Sequence, residues 1–132
     1  MDTALAYKPN MNLSVLEPIH GKNPTKTQLI TTYGLFVTAA ILTIYLLDRN
    51  WRTFVLAFVA GDWAGGIAAN ASASVRNWWQ KRPKLSKLFW LVHIVEIPLV
   101  WWLAEGTAIF SVFFLIWAAK LSVFELGQSE RS

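Results

Sequence analysis

Residues 29–47 run through nineteen positions without a charge, and three later stretches come close to that. Residues 53–75 hold one formal charge, Asp62; residues 88–104 hold Glu96, with His93 three positions before it; residues 107–119 hold none. A bilayer core of about 30 Å is crossed by roughly 20 mostly apolar helical residues, so four such stretches point to four spans. A soluble helix would show a polar stripe at the helical period, whereas residues 29–47 show only scattered threonines. With 132 residues, 55% hydrophobic and 15% charged, the spans consume most of the chain. The expected fold is all-α: an integral membrane up-down bundle of four transmembrane helices. The first span starts too late and runs too long for a secretory signal, and no small-x-small cleavage site follows it. Without cysteine, no disulfide, thiolate nucleophile or thiolate metal site exists.

The boundaries follow from capping chemistry. Residues 1–27 are polar, with prolines at 9, 18 and 24, and read as a tail, partly disordered or lying on the membrane. Thr25 and Gln28 have capping-box spacing, which starts the first helix just after Pro24. Spans are expected at about 28–47, 53–75, 87–104 and 107–125, within a domain of residues 28–127 followed by a tail of 128–132. Asn50 caps the second helix, which is expected to run unbroken to about Gln80. Pro83 opens the third, at a position that tolerates proline. Gly106 is expected to stop the third and Thr107 to cap the fourth. The fourth is expected to end near Gly127. Connections this short make sequential helices antiparallel.

Charge asymmetry sets the orientation. Lys8, Lys22, Lys26, Arg76, Lys81, Arg82, Lys84, Lys87, Lys120 and Arg131 fall on one side, against Arg49 and Arg52 on the other. Ten against two places both termini in the cytoplasm. Trp51, Trp101 and Trp102 then mark the outer membrane face, and Trp78, Trp79 and Trp90 the inner one, as an aromatic belt. Arg76, Lys81, Arg82, Lys84 and Lys87 are placed to attract anionic lipid headgroups. The membrane accounts for this basic patch and for the net charge of +4, so no nucleic-acid partner is expected. The localisation that follows is a multi-pass membrane protein, in the cell membrane if the source is bacterial.

Polar groups inside the spans carry the functional reading. Asp62 and Glu96 lie about nine and eight residues from the outer ends of adjacent antiparallel spans, which at about 1.5 Å per residue is nearly the same depth. His93 shares a helix face with Glu96. Asn70 falls on roughly the Asp62 face. Each such charge costs about 2.5–3.5 kcal/mol at a helix centre, so these groups must face one another, water or a partner. Hydrocarbon also resists the ionised carboxylate, which is the chemistry of a proton-binding site or a general acid. Gly61, Gly65 and Ala69 form a small-residue strip suited to close helix approach, with Gly66 between Asp62 and Asn70 on the next edge. Pro98 leaves the carbonyl of Ile94 without its donor and is expected to kink the third helix. Lys120 lies near the depth of His93 but is expected to snorkel to the headgroups. Glu105 and Glu125 are read as interfacial.

The leading reading is a proton-coupled carrier acting as a dimer, with subunits sharing a path across the small-residue strip. Asp62, Glu96 and His93 are the candidate catalytic residues, which exchange and relay protons, and Asn70 is a candidate substrate contact. A second reading is a non-catalytic subunit, immunity factor or assembly partner, in which His93 and Glu96 only fix helix register. A third is a membrane enzyme acting on a lipid or isoprenoid, with one carboxyl as acid, the other as base, and Trp63 and Trp117 stabilising a developing cation. His-x-x-Glu plus Asp would suit zinc, iron or manganese, but a di-metal bundle uses two such pairs, so no metal is assigned. No phosphate loop, dinucleotide fingerprint or zinc-protease motif occurs. No cofactor is expected.

Overall fold

The computed structural model describes residues 11–129, with side chains from residue 16 on, and all its regular structure is helical. Six helices follow one another: α1 (Met11–His20), α2 (Lys26–Leu46), α3 (Trp51–Ala71), α4 (Ala73–Gln80), α5 (Pro83–Ala104) and α6 (Thr107–Ser129). Four of them, α2, α3, α5 and α6, are long and apolar enough to cross a membrane. Lys8, Arg131, residues 1–10 and the end of the C-terminal tail lie outside the described residues.

Several ends form as the sequence implies. Thr25 Oγ1 accepts the Gln28 N–H at 3.0 Å, and Asn50 Oδ1 accepts that of Thr53 at 3.2 Å. Pro83 occupies the first turn of α5, and α5 continues as one helix through Pro98. The capping box at Thr25 is only half made, because the Gln28 amide turns away to donate to the His20 carbonyl at 2.8 Å. That bond exists because Met11–His20, expected as tail, is a helix packed on its neighbours. The indole N–H groups of Trp78 and Trp79 donate to Glu17 and to the Pro18 carbonyl, and the Ser74 hydroxyl donates to that of His20.

Three boundaries differ from expectation. The helix drawn through to Gln80 breaks at Ser72, whose extended backbone (ψ 148°) separates α3 from α4. Ser72 stabilises the break by accepting the Val75 N–H, while its own N–H and hydroxyl donate to Ala69 O. Arg76 donates to the Ala71 carbonyl, another orphan acceptor at the helix end. At the next corner the left-handed residue is Glu105 (φ 57°) and not Gly106. Thr107 is the first helical residue of α6 rather than its cap, and the Gly106 carbonyl accepts the Phe110 N–H. The last helix ends two residues past Gly127, at Ser129, and Gly127 lies buried beneath the Arg76 stem.

The packing is centred on α3, which touches every other helix. Helices α3, α5 and α6 form the body, whereas α2 touches only α3 and α1 among the described residues. The four long helices therefore do not close into the ring of a regular bundle, and a gap separates α2 from α5. The side chains of the body form two apolar clusters. One joins Leu56, Val59, Ala60 and Trp63 to Val100, Leu103 and Phe113. The other joins Ala69, Val75 and Trp79 to Phe89, Leu121 and Phe124. Trp79, assigned from sequence to the aromatic belt, is thus a core residue, edge-on to Phe89 and Phe124.

The small-residue strip is covered by this chain's own α2. A Cβ on Gly61 would lie 2.9 Å from the Phe36 carbonyl oxygen, and one on Gly65 would lie 2.8 Å from that of Thr32. The strip therefore permits close approach, as its spacing implies, but the partner is α2. It is not open for a second copy to share.

Candidate functional site

Between the two apolar clusters lies a polar layer. Asp62 is the twelfth of 21 residues in α3, His93 the eleventh of 22 in α5, and Lys120 the fourteenth of 23 in α6. Mid-helix positions on three packed helices meet. Asp62, His93 and Glu96 each offer a ligand atom within 4.8 Å of the others. The sequence expectation that two acidic side chains of adjacent spans converge holds, and the i,i+3 histidine joins them.

Lys120 corrects the sequence reading. Its side chain is 6% exposed and does not reach a headgroup region: Nζ lies 3.1 Å from Asp62 Oδ2. Gly66 makes this possible. A Cβ at that position would run into the lysine stem, 2.8 Å from Cδ and 3.0 Å from Nζ. The ammonium also sits 5.5 Å from the centre of the Phe89 ring, a favourable electrostatic position. Lys120 therefore drops out of the basic count on which the expected orientation rests.

The two tryptophans assigned to a substrate hold the site together instead. Trp63 is fully buried, and its indole N–H donates to Glu96 Oε1 at 2.9 Å. The Trp117 indole N–H donates to the His93 carbonyl at 2.8 Å. Neither lines the cavity described below. Cation stabilisation by their ring faces, which the lipid-enzyme reading required, has no geometry here.

His93 is the most informative group. Its Nδ1 lies 2.7 Å from the Phe89 carbonyl oxygen. A carbonyl only accepts, so Nδ1 carries a proton and donates; in the neutral ring Nε2 then holds the lone pair. That Nε2 is buried and has no hydrogen-bond partner. It lies 4.0 Å from Glu96 Oε1, outside hydrogen-bond range. Two carboxylates and a histidine are also a donor set that a divalent metal accepts. Here, however, the Lys120 ammonium already faces Asp62.

A cavity of about 260 Å³ leads to this layer. It fills the gap between α2 and α5. Thr32, Tyr33 and Phe36 form one wall, Phe89, Val92 and His93 the other, and α3 from Asp62 to Asn70 the floor, with Lys120 at its edge. Pro18, Ile19 and Trp79 close one end. Asn70 is buried and lines the cavity as the sequence implies; Glu96 lies behind His93, off the lining. Thr32, not singled out from sequence, contributes a second buried polar atom without a partner, its Oγ1. Tyr33 and Val92 of the lining are exposed on the surface of the chain, and the Asp62 side chain is 40% exposed. The polar layer is open on this side and sealed on the other.

No family model, curated protein or solved structure matches the chain.

Proposed function

We propose that the protein is a multi-pass membrane carrier that exchanges a proton for its cargo at the Asp62–His93–Glu96–Lys120 cluster. Insertion is supported by the outer surface, where Ile30, Tyr45, Leu46 and Leu115 are each more than two-thirds exposed. Apolar surface on that scale demands a covering. The basic residues at 22, 26, 76, 81, 82, 84 and 87 support a topology with both termini on the cytoplasmic side, in the cell membrane if the source is bacterial. Lys81, Lys84 and Lys87 are exposed, and Arg76 and Arg82, each of which also donates to a backbone carbonyl, at 71 and 78, complete the basic patch for anionic headgroups. The cleft lies within one chain and needs no second subunit.

The observation that carries the reading is the charge composition of the cluster. Lys120 and Asp62 neutralise each other at 3.1 Å. His93 and Glu96 together are neutral when they hold one proton beyond the one fixed on Nδ1, whether it sits on Nε2 or on the carboxyl. Net charge in hydrocarbon costs several kcal/mol, so the neutral count is favoured. The cluster thus holds one exchangeable proton beside an accessible cleft.

The test is flux. Proteoliposomes loaded with a pH dye are challenged with small amphipathic cations, anions and neutral compounds. At least one class should drive proton movement through the wild type. Asp62→Asn and Glu96→Gln should both abolish it while still inserting and eluting like the wild type. Undiminished flux in both variants would remove the cluster from the mechanism.

A further inference from the structure

The cleft is lined by aromatic side chains, and the more exposed member of its charged pair is a carboxylate; these properties together select a ligand class. We propose that it binds a small amphipathic organic cation, whose charged N–H group faces Asp62 and His93 Nε2 and whose apolar body lies between α2 and α5. The inference rests on the carrier reading for its coupling to protons, but not for the site itself.

At the charged end of the cavity the unmet capacity is that of an acceptor. His93 Nε2 is a buried lone pair without a donor, and the carboxylate of Asp62, part-exposed to the cleft, has acceptor capacity beyond its bond to Lys120. The cationic group on the lining, Lys120, is already matched to Asp62 and its stem is pinned over Gly66. Of the pair, Asp62 is 40% exposed and Lys120 only 6%, so a ligand entering the cleft meets the carboxylate first, which favours a cation over an anion. Tyr33 and Phe36 add aromatic side chains to the lining, and the Lys120 ammonium 5.5 Å from the centre of the Phe89 ring shows that positive charge is accommodated beside the aromatic groups. At about 260 Å³ the space falls just below the range of about 300–1,000 Å³ for drug-sized ligands, which limits the ligand to a small molecule.

Charge counting then fixes what must leave. The titratable groups at the site are Asp62 from α3, His93 and Glu96 from α5, Lys120 from α6 and Tyr33 from α2; the residues of α1 and α4 that line it, Pro18, Ile19 and Trp79, do not titrate. A bound monocation restores neutrality if the proton held by His93 and Glu96 departs to water, leaving Glu96 ionised and His93 neutral. One cation enters and one proton leaves.

Three probes of nearly equal size test this on the purified full chain: benzylguanidinium, uncharged benzylurea and phenylacetate. Titration calorimetry in two buffers of different ionisation enthalpy measures affinity and proton release together. Saturable binding of benzylguanidinium is expected, at least tenfold tighter than either analogue, with one proton released per ligand. Equal binding of all three, or preference for phenylacetate, would overturn the proposal. Cation-selective binding without proton release would support the site and instead remove the exchange proposed above. Glu96→Gln adds a readout that a contact role would not move. Glu96 does not line the cavity, and glutamine preserves an acceptor for the Trp63 indole. This variant should weaken benzylguanidinium at least tenfold and release no proton; unchanged affinity and release would count against charge coupling.

Discussion

Replacing Gly65 by alanine tests whether α2 is held against α3 by close backbone approach. The new Cβ would lie 2.8 Å from the Thr32 carbonyl oxygen and 3.4 Å from Phe36 Cβ. Carbon and carbonyl oxygen ordinarily meet at about 3.3–3.6 Å, so the overlap is about 0.5 Å. A backbone oxygen cannot rotate aside, so α2 itself must shift. Overpacking of this kind costs about 1–3 kcal/mol. Alanine also improves helix propensity by about 0.5–1 kcal/mol, which partly hides the cost. Gly34→Ala is the control: it lies in α2, and nothing falls within 4 Å of the added Cβ. It gains the propensity without the clash. The difference between the two variants therefore isolates the overpacking, about 1–3 kcal/mol, measured by equilibrium denaturation in mixed detergent–SDS micelles. Equal stabilities would mean that α2 does not sit on the Gly61–Gly65 strip, and the cleft that it walls would fall with it.

Two further outcomes follow from contacts elsewhere. Asp62→Asn and Lys120→Met should each destabilise the protein, by less than the 3–5 kcal/mol of a fully buried pair, because the Asp62 side chain is 40% exposed; the double variant should lose less than the sum, and a coupling energy under about 0.5 kcal/mol would mean the pair is not formed. Glu105→Gly removes a left-handed strain of about 1–2 kcal/mol and sacrifices an ion pair with Arg52 at 3.3 Å whose exposure makes it worth about 0–1 kcal/mol; SDS denaturation should show a net gain, and a loss would place the strength of that corner in the Arg52 contact.

What the sequence made legible divides by the range of the interaction. Thr25, Asn50 and Pro83 act within a turn or so of where they stand, and each was readable. So was the convergence of Asp62, His93 and Glu96, since helical rise and antiparallel connection determine depth without any knowledge of packing. Rotation about the helix axis was not legible. In uniformly apolar spans the period carries no direction, so nothing distinguished Trp63, buried and bonded to Glu96, from a tryptophan facing a ligand. Lys120 was misread because snorkelling depends on what surrounds the stem, and Gly66 supplies a channel that only the packed helices create. The helix α1 was missed for a similar reason: its bonds run to Ser74, Trp78 and Trp79, more than fifty residues away. The break at Ser72 had a visible signal in the Asn-Ala-Ser-Ala-Ser run, since serine competes for backbone hydrogen bonds, but the apolar count of the window overrode it.

The shape of the polar layer bears on whether it serves only to fix helix register. A register device works best sealed, because its selectivity comes from the penalty for leaving a buried polar group unpaired. Half of this layer fits that description: Trp63 and Trp117 bond to Glu96 and to the His93 backbone from the closed side. The other half does not. Asp62 is part-exposed in a cavity, and His93 Nε2 and Thr32 Oγ1, each without a partner, belong to residues on opposite walls of it. Two unmet polar atoms add cost without adding register, and a tighter seat for α2 against α5 would have removed the cavity. The closed side positions the groups and the open side leaves them able to react, which is the division of labour that a site for exchange requires.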